Sequence, residues 1–192
     1  MPQIFDEAGR EKVRTNLLES GYELIKNYGL KKTSINDIAT SAGIATGTFY
    51  NFFKTKEEFV YQIVIYKRNQ SKNMLFGLAK KGKIDKKHFK KYLTMLYTTD
   101  NNIFEYLSDS EIAQLKARWP EEYWKNANNE KGTVENMLGI LESPRPNIDW
   151  KIVGNLFKAM ALIGHGREQL YADKYEKTLE IFIDSIVDYI FK

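Results

Sequence analysis

The chain has 192 residues, 43% of them hydrophobic and 28% charged, a balance that suits a packed core and argues against global disorder. It contains no Cys, which excludes disulfides, thiolate metal sites and cysteine nucleophiles and is in keeping with a reducing cytoplasm. The net charge of +4 points mildly to a polyanionic partner.

That charge is unevenly spread. Residues 1–56 carry 8 basic and 6 acidic side chains, residues 67–91 carry 10 and 1, and residues 92–192 carry 11 and 16. The last hundred residues are therefore not a nucleic-acid surface, and the basic cluster at 67–91 reads as a solvated helix face and loop. No apolar run approaches the ~18 residues of a membrane span. The start, Met1 to Glu7, lacks the basic and apolar regions of a signal peptide. A soluble cytoplasmic protein with no membrane partner is expected.

Apolar spacing is helical almost throughout. The first stripe is Val13, Leu17, Leu18, Gly21, Leu24, Ile25 and Tyr28, closing at Gly29, a natural C-cap. Ser34 with Asp37 forms a capping box that opens a short helix with inner face Ile35, Ile38, Ala39 and Ala42. Gly43 ends it, and a second short helix is predicted from Thr46 to Phe53. Thr55 with Glu58 caps a long helix running through Phe59, Ile63 and Tyr66 to about Lys80, where Lys81-Gly82-Lys83 breaks it. Further helices are predicted over about 85–98, 102–117, 121–142, 148–171 and 173–191, punctuated by Trp119-Pro120 and Ser143-Pro144-Arg145-Pro146. The fold class is all-α, with an N-terminal three-helix helix-turn-helix domain at 1–54 and a C-terminal helical domain at 55–192.

Function is concentrated between Thr33 and Phe59. Two short helices joined by a Gly-containing turn make a helix-turn-helix, whose second helix enters the major groove of double-stranded DNA. Ile38, Ala39, Ile44, Phe49 and Phe53 can pack the pair together, and small Ala39 and Gly43 permit close approach at the corner. Thr46, Thr48, Asn51 and Phe52 are left facing outward, with Tyr50 at the flank and Lys54 beyond. Small hydroxyl side chains and Gly47 let the helix sink into the groove.

The stretch resembles the DNA-binding domain of the TetR family of bacterial regulators. The matching elements are Thr33, Asp37-Ile38-Ala39, Ala42-Gly43-Ile44, Gly47-Thr48-Phe49-Tyr50, Phe53 and Lys56-Glu57. The resemblance implies phosphate contacts from Thr33, Tyr50 and Lys56, and base-facing positions at Thr46, Gly47, Thr48 and Asn51. Two residues depart from the pattern. Ala45 stands where a capping Ser or Thr is common, and Phe52 where many members have His or Tyr.

The resemblance further implies a homodimer through the last two helices and a small-molecule effector bound among the middle ones, its binding releasing the operator. Wide apolar stripes place Leu156, Ile163, Leu179, Phe182, Ile183 and Ile186 at the expected dimer interface, although such stripes also pack inside a single protomer. Tyr92, Tyr97, Phe104, Trp119, Trp124, Phe157, Met160 and His165 are the expected pocket lining, and their rings favour a largely apolar effector. Aromatics at helical spacing equally build plain core. Two His, no Cys and no His-x-x-His spacing predict no metal site, and no cofactor is expected. Phosphate-binding, nucleophile-elbow and metalloprotease motifs are missing, so an enzyme is not expected. Two rival readings stay open: a DNA-binding regulator controlled by a protein partner, and a helical interaction protein without DNA binding.

Overall fold

A computed structural model describes residues 6–98, 103–121 and 129–191. The described residues are helical, with β-type pairing confined to two isolated bridges, Lys80 with Lys83 and Ile84 with Leu141. The chain packs as two compact units, Met1–Asn69 with Asn102–Trp119 and Gln70–Asn101 with Pro120–Lys192. This division differs from a cut at residue 54, because residues 103–119 pack with the N-terminal helices.

In the first unit, α1 (Glu7–Tyr28) begins at Asp6, whose carboxylate accepts the Gly9 N–H at 2.7 Å. It ends at Gly29, whose φ of +80° is cheap only for glycine. The predicted capping box is present at the head of α2 (Ile35–Ser41), with Ser34 and Asp37 each bonded to the other's backbone N–H. Gly43 turns the chain at φ +72° into α3 (Thr46–Phe49). The latter is shorter than predicted: residues 50–52 are a turn, though Phe53 N–H still donates to the Phe49 carbonyl at 3.1 Å. Next comes α4 (Lys56–Gly77), stopping three residues before the predicted Lys80 and contributing its first part to this unit.

Leu17, Leu18, Tyr22, Ile25, Ile38, Phe49, Phe53, Phe59 and Ile63 form the core of the first unit. The rings of Phe49, Phe53 and Phe59 meet at centroid distances of 4.9–5.4 Å. Gly21 fits against them because it has no side chain; an added Cβ would sit 2.3 Å from Phe59 Cζ.

The helix predicted over 102–117 is split. A 3₁₀ turn, Ile103–Tyr106, precedes α6 (Asp109–Ala117), and a second capping box, Ser108 with Glu111, starts the latter. Between these and α4 runs α5 (Lys86–Thr98), which belongs to the second unit.

The second unit contains α5, α7 (Glu130–Gly139), α8 (Trp150–His165) and α9 (Tyr175–Phe191), with α9 packed on α5 and α8, and α7 on α8. Instead of continuing to residue 142, α7 stops at Gly139: Ile84 N–H donates to the Ile140 carbonyl, and Glu142 N–H to Ile84, drawing the chain out of the helix. α8 stops at His165, and short 3₁₀ turns fill the way to α9. The core is built from Ile84, Phe89, Leu93, Val153, Met160, Ile183, Ile186 and Ile190.

Of the residues assigned to a dimer interface, Leu179, Ile183 and Ile186 are at most 3% exposed in their own protomer, and Leu156, Ile163 and Phe182 pack partly buried against the same core. The stripes are wide because these helices fill the interior. The apolar side chains that α8 and α9 leave exposed are Ile152, Leu162 and Ile181.

Candidate nucleic-acid interface

The surface centred on α3 rests on the ring cluster beneath it. Phe49 and Phe53 are anchored in the core, so the residues between and beside them are directed outward. Tyr50 is 53% exposed, and Gly47, Asn51 and Lys54 are exposed, while Thr46 and Thr48 are half-buried. Nothing lies within 4 Å of a Cβ built on Gly47, so the backbone there is open to close approach. Ala45 supplies no side-chain cap to α3, as its methyl dictates.

Two helices are tied across the motif by a bond the sequence did not signal. Thr46 Oγ1 donates to Asn36 Oδ1 at 2.9 Å. Asn36 sits exposed on α2, and with its carbonyl occupied, its amide N–H groups remain to read a base or phosphate. Neither Asn36 nor Arg10, whose Nη2 donates to the Asn51 carbonyl at 3.0 Å, was among the expected site residues. Asn36 lies on the first helix and carries no local signature of its own, and Arg10 is 41 residues away from Asn51 in sequence.

Two expected phosphate contacts are differently engaged. Thr33 is 2% exposed, and its hydroxyl donates to the Gly29 carbonyl at 2.9 Å, closing the end of α1. Its proton is thus spent inside the protein. Lys56 turns its ammonium onto the Leu30 carbonyl at 2.6 Å. Burial pushes the Lys56 pKa below the usual lysine range, against the pull of the Glu57, Glu111 and Asp37 carboxylates. Arg118, just past the end of α6, pairs with Glu57 beside it. Lys54, by contrast, is exposed and outside every ion pair among the described residues; only its backbone N–H is bonded, to Glu58 at 2.8 Å.

The expected pocket residues are divided. Tyr92, Tyr97, Phe157 and Met160 belong to the core of the second unit or pack against it. Burial pushes the Tyr97 hydroxyl pKa far up, and that hydroxyl donates to the Phe157 carbonyl at 3.5 Å. Phe104 and Trp119 lie in the first unit, their ring centroids 6.0 Å apart, with Trp119 also against Tyr61. Trp124 and the His165 side chain fall outside the described residues.

A capped short helix, a left-handed glycine corner and a second short helix carried on an aromatic core define a helix-turn-helix protein. Residues 17–63 match the family described as bacterial regulatory proteins, tetR family. The transcriptional repressor KstR2 of Rhodococcus jostii is 38% identical over 63 residues, 33% of this chain and 31% of that one. The uncharacterized regulator YuxN of Bacillus subtilis is 29% identical over 100 residues, 52% of this chain and 33% of its own. The chain thus spans about a third of the length of the curated relatives it matches. Solved structures extend the likeness of fold to nearly the whole chain. SCO4454, a TetR-family transcriptional regulator of Streptomyces coelicolor, superposes with a TM-score of 0.66 at 11% identity, covering 95% of this chain and 97% of its own. NalD of Pseudomonas aeruginosa, the secondary repressor of the MexAB-OprM multidrug efflux pump, gives 0.55 at 17%, covering 95% and 98%.

Proposed function

We propose that this protein is a sequence-specific, DNA-binding transcription regulator that acts as a homodimeric repressor and is released from its operator by a small, largely apolar effector. It is a binding protein, not an enzyme. The observation that carries the reading is the α2–α3 pair. Its core face is locked by Ile38, Phe49 and Phe53, while Tyr50, Asn51 and Lys54 just beyond α3 face solvent, with open backbone at Gly47 within the helix. Hydroxyl, amide and cationic groups on and just after a small helix are the groups that read base edges and hold phosphates.

Repression is favoured over activation because KstR2 and NalD are both named repressors. A dimer follows from the duplex itself, since two recognition helices reach successive major grooves ~34–36 Å apart. Exposed Ile152, Leu162 and Ile181 on α8 and α9 supply the apolar surface for it. The effector reading rests on the aromatic lining, where the Tyr97 hydroxyl and a few polar groups would orient an apolar guest. An effector acts only by binding the DNA-free form more tightly than the DNA-competent one.

The test is selection of bound duplexes from random-sequence DNA by the purified chain. Enrichment of an inverted repeat with half-sites about one turn apart is expected. Failure to enrich any sequence, with salt-insensitive or absent binding, would leave a helical interaction protein.

A further inference from the structure

Arg10 occupies an unusual position for a residue in the first turn of α1. Its Nη2 donates to the Asn51 carbonyl at 3.0 Å, and its Cζ lies 5.0 Å from the centroid of the Phe52 ring. One guanidinium N–H and one face are thus used, which fixes the plane of the group beside the end of the α3 turn. The remaining N–H donors and the full charge are not consumed. Arg10 is exposed, and no carboxylate lies within ion-pair distance of it among the described residues. Its neighbour Arg14 is differently engaged, donating to Gln62 Oε1 at 2.7 Å and lying 3.8 Å from Glu11, and Arg118 is paired with Glu57.

We propose that Arg10 is a DNA-backbone contact, its guanidinium held on Phe52 and Asn51 so that its free edge takes a phosphate beside the bases read from α3. This rests on the DNA-binding reading and adds a residue to it. The apolar ring of Phe52 cannot hydrogen-bond a phosphate, but it serves as the platform that orients a cation able to do so in bidentate fashion. Sequence position conceals the arrangement, since the cation comes from α1 and the platform from the turn after α3.

Three variants separate a phosphate contact from a strut for the Asn51 carbonyl. Arg10→Ala removes both roles, Arg10→Gln keeps a donor without charge, and Arg10→Lys keeps charge without the planar fork. Binding is read by fluorescence anisotropy against the duplex recovered from random-sequence selection and against its scrambled version, over a salt series. The Ala and Gln variants should bind both duplexes about tenfold more weakly, the loss of one charge-assisted hydrogen bond. They should also lower the slope of log K against log salt by about 0.9 per bound protomer. The Lys variant should keep the slope. Parental affinity and slope in the Ala and Gln variants would overturn the proposal while leaving DNA binding intact. So would rescue by Gln with failure of Lys, which marks a strut. Absence of binding by the parent itself to every duplex would overturn the DNA-binding reading, and Arg10 with it.

Discussion

Thr46 Oγ1 donates to Asn36 Oδ1 at 2.9 Å, so the first residue of α3 is registered against the second residue of α2 by a bond between two surface side chains. Because the pair is exposed, removing it should cost folding stability little, under about 1 kcal/mol. Its effect belongs to recognition: Asn36 presents its amide donors in an orientation that Thr46 fixes. Thr46→Val, which keeps the shape and deletes the donor, should leave the melting temperature nearly unchanged. It should alter discrimination at one or two base pairs of the selected duplex, each by about 1–3 kcal/mol. Affinities across a set of single-base-pair variants check this, and a uniform loss at every position would show that Asn36 reads no base.

Glycines 21 and 47 make a contrasting pair. A Cβ on Gly21 would stand 2.3 Å from Phe59 Cζ, whereas one on Gly47 meets nothing within 4 Å. Gly21→Ala gains helix propensity of ~0.5–1 kcal/mol but forces the ring cluster apart, for which overpacking costs typically run ~1–3 kcal/mol. Net destabilisation is expected, with melting temperature falling several degrees. Gly47→Ala should leave stability unchanged or slightly raised and weaken DNA binding, since the methyl intrudes where backbone meets the groove. Thermal melts alongside anisotropy titrations distinguish the two.

Lys54 and Lys56 are two residues apart and are expected to behave differently. The Lys56 ammonium is turned onto the Leu30 carbonyl at 2.6 Å and is half-buried, whereas Lys54 is exposed. Lys54→Ala should lower the salt slope of DNA binding by about 0.9 per protomer with no change in folding. Lys56→Ala should chiefly lower stability, by about 1 kcal/mol for the lost hydrogen bond. A reversed pattern in melts and salt series would show that Lys56 leaves Leu30 to reach the backbone.

Much of the N-terminal unit was legible because its signals are local. Ser34 with Asp37, Gly29 and Gly43 mark helix ends by their own chemistry, and all three are used as the sequence implies. The capping box of Ser108 and Glu111 is just as local, and it explains why one predicted helix is a 3₁₀ turn followed by α6. Side-chain direction was not legible. Thr33 and Lys56 carry the residue types of phosphate contacts, but their hydrogens go to the Gly29 and Leu30 carbonyls just past α1, and Leu30 is a partner that only the folded chain brings to Lys56. The stripe on α9 leaves a related ambiguity. Periodicity shows that Ile183 and Ile186 are covered, not whether the cover is the same protomer or another.

That distinction gives an assembly prediction. Ile186 is fully buried, so Ile186→Glu should unfold the second unit and says nothing about dimers. Leu162, 72% exposed, and Ile181, 57% exposed, are the informative positions. Leu162→Glu with Ile181→Glu should give a folded, soluble monomer with much weaker operator binding. Sedimentation equilibrium decides it, and a double variant that sediments as the parent does would remove this face from the interface.

The last prediction concerns the effector. Tyr92, Tyr97, Phe157 and Met160 bring apolar surface together in the second unit, with the Tyr97 hydroxyl turned onto the Phe157 carbonyl at 3.5 Å. A guest accommodated there would exchange water for rings, which favours an apolar or aromatic molecule over a hydrophilic one. The cleft beside Lys56 has a mixed character, with Lys31, Glu57, Glu111 and Arg118 beside Leu30 and Leu115, and offers charged partners to a hydrophilic molecule. A thermal-shift screen paired with release from the selected duplex separates these cases. Apolar molecules should both stabilise the protein and release DNA, with stabilisation growing as RT ln(1 + [L]/Kd). Release by hydrophilic anions alone would place the effector elsewhere and end the apolar reading.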